Sequence, residues 1–406
     1  MTWVYLDNNA TTQPDEQVLV ALAQAYQECW ANPSSVHRLG QLVRQKLELA
    51  RAKVAHLIGC RDRELIFTSS GTESNNLALR GVLGPARRGP GGSAPVLLTT
   101  TVEHAALREP AEDLGALGVE VVKMPVDIDG QLDPATLAAA LRAHVRPGGL
   151  VLVSVQWVNN ETGVIQPIEA LAQCCRAAAA QCPEPGAQVL LHSDGTQAVG
   201  KMAVDVGGAG VDLLSFAGHK FHGPKGVGGL FVRSGVKLRA QNLGGPQERQ
   251  RRGGTEDAPA IIALGVAAEL AERFLADADR LAGLAALRDR LERGIKEALP
   301  DTVVNAGGAR QRVWNTSNLG FPGLEAEAIL LGLSERGLCA SAGAACSSGS
   351  LEPSPVLLAM GVPENVAHGS IRFSLSRFTT NQDIDQALSL VPRVVAKLRR
   401  TLPLGA

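Results

Sequence analysis

Between residues 65 and 232, short apolar runs recur along the chain and alternate with stretches of helical periodicity. The runs are rich in Val, Leu and Ile and show little alternation between apolar and polar residues. Strands that are apolar on both faces are typical of parallel sheets covered by helices on each side. The pattern therefore predicts an α/β fold with a large, mostly parallel sheet of the seven-stranded type. The candidate strands are Leu65–Thr68, Val96–Thr100, Val119–Val122, Val151–Val155, Val189–His192, Leu213–Phe216 and Gly229–Val232.

The alternation stops near Ala258, where the character of the chain changes. A long helical stretch follows over 261–299, and the remaining residues indicate a smaller α+β unit that ends in a helix. At 406 residues, the chain is long enough to form two domains. We predict a large domain over 15–258 and a small domain built from residues 1–14 and 259–406.

The charge and hydropathy of the chain exclude several functional classes. A formal net charge of -1 and a pI of about 6.7 provide no basic field for nucleic acid or anionic lipid. No apolar run is long enough to span a membrane, and the N-terminus lacks the basic and apolar regions of a signal peptide. We therefore expect a cytoplasmic enzyme with no nucleic-acid and no membrane partner. The 7 cysteines are irregularly spaced and include no CxxC pair, which predicts neither a disulfide framework nor a zinc site.

A glycine-containing turn, Ser69–Ser74, lies between a candidate strand and a helical stretch. Backbone N–H groups at a helix N-terminus bind phosphate, so Gly71 and the hydroxyl of Thr72 are candidate phosphate ligands. In isolation, Ser and Thr at this position are more often simple helix caps. Phosphate binding by this turn is therefore predicted only if other residues indicate a phosphorylated ligand.

Asp194 and Lys220 come at the ends of two successive candidate strands. Ligands of α/β sheets bind at the carboxyl ends of strands, so the two side chains are expected to lie in one crevice. An aspartate and a lysine in this arrangement fit pyridoxal 5'-phosphate (PLP). The lysine forms a Schiff base with its aldehyde, and the aspartate pairs with its pyridine N–H. Taken singly, the aspartate would be a turn or cap residue and the lysine a surface residue.

Three further residues are candidate functional residues if Asp194 and Lys220 bind a cofactor. His104 follows a candidate strand and is suited to cover a cofactor ring or to move protons, although a lone histidine is more often structural. Arg372 lies inside an apolar strand pattern, where a guanidinium needs a carboxylate partner such as a substrate. Cys346 lies in a loop of small residues, where a partly exposed thiol can become a reactive thiolate. The alternative for Cys346 is a small buried side chain, the usual fate of a free cysteine.

Taken together, these motifs resemble those of the NifS/IscS-type cysteine desulfurases, PLP enzymes of the class V aminotransferase group. Several linked motifs in the right order are more specific than any single one, and the resemblance covers nearly the whole chain. The matching segments are Tyr5–Thr12, Asn32–Ser35, Thr72–Ser74, Glu103–His104, Val158–Glu161, Asp194–Gln197, His219–Lys220, Gly254–Thr255, Cys346–Ser354 and Ser370–Arg377. The resemblance implies the PLP-dependent transferase fold of type I, with a large domain that binds the cofactor.

The resemblance also implies a role for each cofactor contact. Lys220 would carry the cofactor, Asp194 would pair with the pyridine nitrogen, Gln197 would bind the ring hydroxyl, and His104 would stack on the ring. Thr255 would reach the phosphate across a homodimer interface. Three further residues would bind the phosphate, and these are Gly71, Thr72 and His219. Asn160 would contact both the cofactor and the substrate.

Substrate binding and sulfur transfer are assigned by the same resemblance. Asn160 and Arg372 would orient the substrate carboxylate, with Asn32 nearby, and Cys346 would accept the sulfur as a persulfide. The serine-rich loop around Cys346 resembles the group I form of the family, which passes the persulfide to a partner protein. An iron–sulfur scaffold or another sulfur acceptor is therefore the expected partner, and L-cysteine the expected substrate.

The chain departs from the family pattern at a few positions. Ala217 stands where a phosphate-binding serine is common, and Pro246 replaces a third glycine. Ala342 and Ala344 stand where serines are common in the cysteine loop. Selenocysteine lyase is the main alternative function, followed by a class V aminotransferase and a non-catalytic scaffold of the same fold. The departures remove no catalytic group.

Overall fold

The computed structural model describes residues 3–84, 94–184, 186–343 and 352–401. In chain order, the elements of the first part are β1 (Val4–Tyr5), α1 (Glu16–Glu28), α2 (Arg38–Leu57), β2 (Leu65–Thr68), α3 (Gly71–Leu83), β3 (Val96–Thr100), α4 (Ala105–Ala116), β4 (Glu120–Met124), α5 (Pro134–His144), β5 (Leu150–Ser154), α6 (Ile168–Gln181), β6 (Gln188–Asp194), α7 (Val206–Ala209), β7 (Leu213–Ala217) and β8 (Gly228–Val232). Those of the second part are α8 (Gln247–Gln250), α9 (Ala258–Leu275), α10 (Ala278–Ala298), β9 (Val303–Val304), β10 (Thr316–Gly320), α11 (Ala326–Ser334), β11 (Leu338–Cys339), β12 (Ser341–Ala342), α12 (Pro355–Ala359), α13 (Glu364–Ala367), β13 (Ser370–Ser374) and α14 (Asn381–Thr401).

Within the described residues, the large sheet has seven strands in the order β2-β8-β7-β6-β5-β3-β4. Neighbours from β7 to β4 pair in parallel, and β8 runs antiparallel to both β2 and β7. The predicted mostly parallel α/β sheet is therefore confirmed, and each of the seven candidate strands belongs to it.

Both faces of the large sheet are buried, as its apolar strands require. Successive strand residues point to opposite faces. Leu98 and Val153 join a buried cluster with helices α1, α2, α5, α6 and α9. Leu97 and Leu152 join a second buried cluster with α3 and α4. Helices thus cover each side, and the carboxyl edge of the sheet is left for loops.

A second sheet, in the order β12-β13-β10-β9, is antiparallel and lies in the C-terminal part of the chain. Its inner face packs against α10, α11 and α14, with Leu291, Ile329, Phe373 and Val391 fully buried. The smaller α+β unit of the sequence interpretation corresponds to this sheet. Among the helices of the described ranges, none is both long and apolar enough to cross a membrane.

The predicted helical stretch over 261–299 is divided in the structure between α9 and α10. Asp277 interrupts it, because its carboxylate accepts a hydrogen bond from the backbone N–H of Arg280 at 3.0 Å and caps the second helix. Helix α9 packs in the cluster of the large sheet, whereas Leu291 and Ile295 of α10 pack against the small sheet. The domain boundary at residue 258 stays a prediction.

The N-terminal segment, residues 7–12, bridges the two sheets. The backbone N–H of Asn9 donates to the hydroxyl of Ser374 in β13 at 2.9 Å, and its side-chain amide donates to the hydroxyl of Thr316 in β10 at 2.9 Å. On the other side, the N–H of Thr12 donates to the carbonyl of His219, beyond β7, at 3.0 Å. The segment therefore fixes the carboxyl edge of the large sheet against the small sheet.

Candidate active site

A cavity of about 880 Å³ lies at the carboxyl edge of the large sheet. Residues that follow β2, β3, β5, β6 and β7 line it, together with the N-terminal segment and residues beside β12 and within β13. This is the crevice in which α/β sheets bind ligands. Nine of the predicted site residues line it, and these are Gly71, Thr72, His104, Asn160, Asp194, Gln197, His219, Lys220 and Arg372.

Asp194 is the last residue of β6, so its carboxylate is presented at the strand end. It is buried, and its two oxygens accept one hydrogen bond each: from the Asn75 side-chain amide at 2.7 Å and from the Thr196 N–H at 2.9 Å. Hydrogen bonds to a carboxylate favour its charged form and fix its orientation. A carboxylate held in this way can accept a further bond from a cationic N–H in the cavity.

Lys220 ends a short 3₁₀ turn, Gly218–Lys220, that follows β7 directly. Its ammonium donates to the carbonyl of Asn9 at 2.6 Å and to the carbonyl of Ala10 at 2.9 Å. These two backbone carbonyls hold the amine at the cavity wall. The turn therefore presents a primary amine to the same space as Asp194.

The N-terminus of α3 forms one end of the cavity. Gly71 is buried there, and a Cβ at this position would come within 2.9 Å of the Thr196 hydroxyl, so the site requires glycine. His219 lies nearby in the lining, and burial, followed by repulsion from Lys220, lowers its pKa to about 4. A neutral imidazole and helix N–H groups suit a phosphate. Ala217 also lines this end and offers no hydroxyl, so the departure seen in the sequence is real here.

His104 is the N-cap of α4, and its Nδ1 accepts a hydrogen bond from the Ala106 N–H at 3.1 Å. An Nδ1 that accepts cannot carry a proton, so the neutral imidazole carries its proton on Nε2. The helix start thus fixes both the position and the tautomer of a cavity-lining histidine.

The opposite end of the cavity is built by Arg372 in β13. Its guanidinium is 2% exposed, and it donates to the Asp7 carboxylate at 2.9 Å and to the Asn160 carbonyl at 3.1 Å. Two buried atoms here, Nε of Arg372 and Oδ1 of Asn160, have no hydrogen-bond partner among the described residues. Buried polar groups are normally satisfied, so this end is arranged for a polar ligand.

Two predicted site residues, Asn32 and Thr255, do not line the cavity, and a third lies outside the described residues. Asn32 is exposed, and its Oδ1 accepts from the Ser34 N–H at 2.8 Å. Thr255 is also exposed and does not line the cavity. Cys346 lies outside the described residues, although Gly343 before it and Glu352 after it line the cavity.

Comparison with known proteins adds to this geometry. Residues 4–387 match the family described as aminotransferase class-V. The chain belongs to the class-V aminotransferase family. It is 46% identical to "Cysteine desulfurase 2" of Trichormus variabilis over 99% of this chain and 96% of that protein. It is 43% identical to "Cysteine desulfurase NifS" of Azotobacter vinelandii over 99% of this chain and 95% of that protein.

Solved structures agree with the family assignment. A structure titled "NIFS-LIKE PROTEIN" matches with a TM-score of 0.86 and 32% identity, over 98% of this chain and 100% of that chain. The resemblance to NifS/IscS-type enzymes and the type I PLP-dependent fold are thereby confirmed. Class-V aminotransferases use PLP, so the predicted cofactor is confirmed as well. One cavity is lined by the carboxylate of Asp194, the amine of Lys220 and the N-terminus of α3, which can bind a phosphate. These groups fit that cofactor.

Sequence reasoning missed several polar residues that support this class-V site. Asn75 bonds Asp194 and lies one helical turn after Gly71, a spacing that could have identified it. Glu103 accepts from the Gln156 N–H at 3.1 Å and so ties the loop that carries His104 to the loop after β5. Burial raises the pKa of Glu103 to about 8.

Proposed function

We propose that this chain is a cysteine desulfurase, which converts L-cysteine to L-alanine and takes up the sulfur as a persulfide on Cys346. One observation carries the proposal: Asp194 and Lys220 line the same cavity as Arg372, a buried guanidinium that can bind a carboxylate. An α-amino acid substrate requires a cavity in which one part binds the cofactor and another part binds the substrate carboxylate. Relatives named as cysteine desulfurases, 46% and 43% identical over nearly full length, support the choice of amino acid.

Arg372 and Asn160 would orient the substrate. The guanidinium is fixed by Asp7 and by the Asn160 carbonyl, so little side-chain entropy would be lost when it binds a carboxylate. The free Oδ1 of Asn160 would accept a hydrogen bond from the ligand. Both groups are in place before the substrate enters, which fixes the direction in which its Cα is presented.

Lys220 and Asp194 would perform the proton chemistry at Cα. PLP, when bound, supplies an electron sink for the negative charge that develops there. Asp194, held by two hydrogen bonds, would keep a proton on the ring nitrogen, and Lys220 would take the Cα proton. His104 would hold or move a proton at Nε2, because its Nδ1 is occupied by the Ala106 N–H.

Cys346 would complete the reaction. Its thiolate attacks the substrate sulfur, an S–S bond forms, and the Cβ–S bond breaks with its electron pair retained on carbon. Protonation of that carbon gives alanine, and the persulfide stays on the protein. An iron–sulfur scaffold or another sulfur-acceptor protein would then take the sulfur.

A homodimer belongs to the same proposal. Because Thr255 is exposed and outside the cavity, its contact with a phosphate requires a second copy of the chain. Trp30 and Val36, between α1 and α2, are 71% and 94% exposed and give this face apolar area for such pairing. We place the enzyme in the cytoplasm, where a reactive thiol stays reduced.

Mass spectrometry of Cys346 after incubation of the PLP-loaded protein with L-cysteine tests the proposal. We expect an adduct of about 32 Da, one sulfur atom, on that residue, with alanine formed in the same tube. Cys346→Ala should abolish the adduct, whereas Cys339→Ala, which removes a nearby thiol, should leave it intact. Lys220→Ala should abolish alanine formation.

Three outcomes would contradict the proposal. Alanine formed at the native rate by Cys346→Ala would exclude this thiol as the sulfur acceptor. Turnover of selenocysteine with no turnover of L-cysteine would identify a selenocysteine lyase instead. Transfer of the amino group to a keto acid without sulfur release would identify an aminotransferase.

A further inference from the structure

Lys201 is a buried lysine that lies behind the cavity rather than in its wall. It is 4% exposed and follows Gln197 by 4 residues in the turn region after β6. Its ammonium donates to the side-chain oxygen of Asn9 at 2.8 Å and to the side-chain oxygen of Gln197. Its carbonyl accepts from the indole N–H of Trp314 at 2.8 Å, which fixes the backbone at this position.

The hydrogen bonds of Gln197 allow only one orientation of its amide. The Nε2 group donates to the backbone carbonyl of Asn9 at 3.0 Å, and a carbonyl can only accept. The ammonium of Lys201 donates to Oε1, and a protonated amine can only donate. The oxygen therefore points to Lys201, and the second N–H of Nε2 is left for the cavity that Gln197 lines.

We propose that Lys201 is a positioning residue that locks the Gln197 amide so that it presents an N–H donor, not an oxygen, to the ring oxygen of PLP. The inference deepens the proposed function and rests on it, because Gln197 is there the partner of the ring hydroxyl. Lys201 also holds Asn9, whose carbonyl accepts the Lys220 ammonium at 2.6 Å. One buried cation thus orients two residues that meet the cofactor.

The surroundings of Lys201 are unfavourable to a cation, so its retention calls for a positional role. Burial, followed by repulsion from Lys220 and Arg372, lowers the pKa of Lys201 well below its usual range. Lys201 in turn contributes to the lowered pKa of His219 and His222, the other titratable groups that face it. An apolar side chain of similar length would avoid these costs. Stability alone therefore does not account for a lysine here.

Lys201→Met in the PLP-loaded protein tests the inference. The readout is the pH at which the absorbance of the bound cofactor changes. An N–H donor stabilises the anionic ring oxygen, so its loss makes the anion less stable and raises the midpoint pH. We expect a rise on the order of one pH unit, as for the loss of one hydrogen bond to a charged group. The melting temperature should be unchanged or higher.

Two further variants make the result decisive. Lys225→Met removes an exposed lysine near His219 and should leave the midpoint unchanged. Gln197→Leu should raise the midpoint as Lys201→Met does, and the double variant should add nothing, because both remove one donor. If Lys201→Met does not fold, Lys201→Gln, which keeps an amide donor for Oε1, should fold and hold the midpoint near the native value.

The outcomes separate this inference from the function it rests on. A midpoint that moves in Gln197→Leu but not in Lys201→Met overturns the inference and leaves the desulfurase intact. Equal shifts in Lys201→Met and Lys225→Met also overturn it, because a general charge effect would then explain both. If the native protein binds no PLP, that result would contradict the proposed function itself.

Discussion

Two buried arginines, in different parts of the molecule, are satisfied to different degrees. Arg51 in α2 is 3% exposed, and each of its guanidinium nitrogens donates to a protein acceptor. Two of them make a bidentate pair with Glu248, both bonds at 2.8 Å. Arg372 is 2% exposed and also meets a carboxylate, yet its Nε has no partner among the described residues.

The difference shows that burial and ion pairing do not by themselves identify a binding residue. Burial alone would lower the pKa of Arg51, but the hydrogen bonds and charge attraction of Glu248 and Glu48 together outweigh it and the pKa is raised. The guanidinium also lies 4.6 Å from the centre of the Phe67 ring. The hydrogen bonds of the Arg51 guanidinium are therefore all made within the protein, and the residue is structural. Arg372, by contrast, lines the cavity and keeps one donor unsatisfied among the described residues, so we expect Arg372, and not Arg51, to bind a ligand.

The largest effect should come from Arg51→Met. It leaves the Glu248 carboxylate buried without its cation, which costs about 3–5 kcal/mol of unfolding free energy. Urea titration monitored by circular dichroism measures this, and KM for L-cysteine should not change. The double variant with Glu248→Gln should recover part of the loss, since the charge is gone while an acceptor for the Phe67 N–H remains. A loss under about 1 kcal/mol would show that the pair is not structural.

Arg372→Lys should act on the substrate instead. A lysine keeps the charge but loses the planar fork, so we expect kcat/KM for L-cysteine to fall about 100-fold, roughly 2.7 kcal/mol. Steady-state alanine formation measures kcat/KM, and the fall should come mainly from a higher KM. Arg377→Lys is the matched control, because Arg377 is buried and pairs with Asp15 outside the cavity lining. Similar losses in both variants would contradict a carboxylate site at Arg372.

The smallest effect should come from the turn that carries Glu248. Glu248, Arg249 and Gln250 have φ values of 47°, 58° and 63°, a run of left-handed residues that none of the three side chains favours. Gln250→Gly should therefore stabilise the protein by about 1 kcal/mol, measured as a higher urea midpoint. Gln250→Ala retains a Cβ and should bring no gain. An equal gain in both would place the cause outside the backbone.

The sequence allowed the large sheet to be predicted because most of its strands are largely apolar runs between helical patterns. It did not show the break between α9 and α10, since Ala276 and Asp277 contain neither glycine nor proline. The N-cap made by Asp277 is seen only in the structure.

The cavity was foreseeable where a residue follows a strand directly, as Asp194 and Lys220 do. Lys201 was not foreseeable, because a lysine in a glycine-containing turn is typical of the surface. Its partner Asn9 lies 192 residues away along the chain, a pairing that no local pattern reveals. The roles of Asn32, Thr255 and Cys346 stay predictions from the resemblance.

Asn9 has a consequence for how the protein is made. Asn9 is synthesised long before its partners, because its backbone N–H bonds Ser374, 365 residues further along the chain, and its carbonyl accepts the amine of Lys220. The segment 7–12 can therefore settle only after β13 has been synthesised. We expect cofactor capture to be a late, post-translational event. Ribosome-bound chains that are arrested before residue 370 should retain no PLP, and retention by such chains would refute this order of assembly.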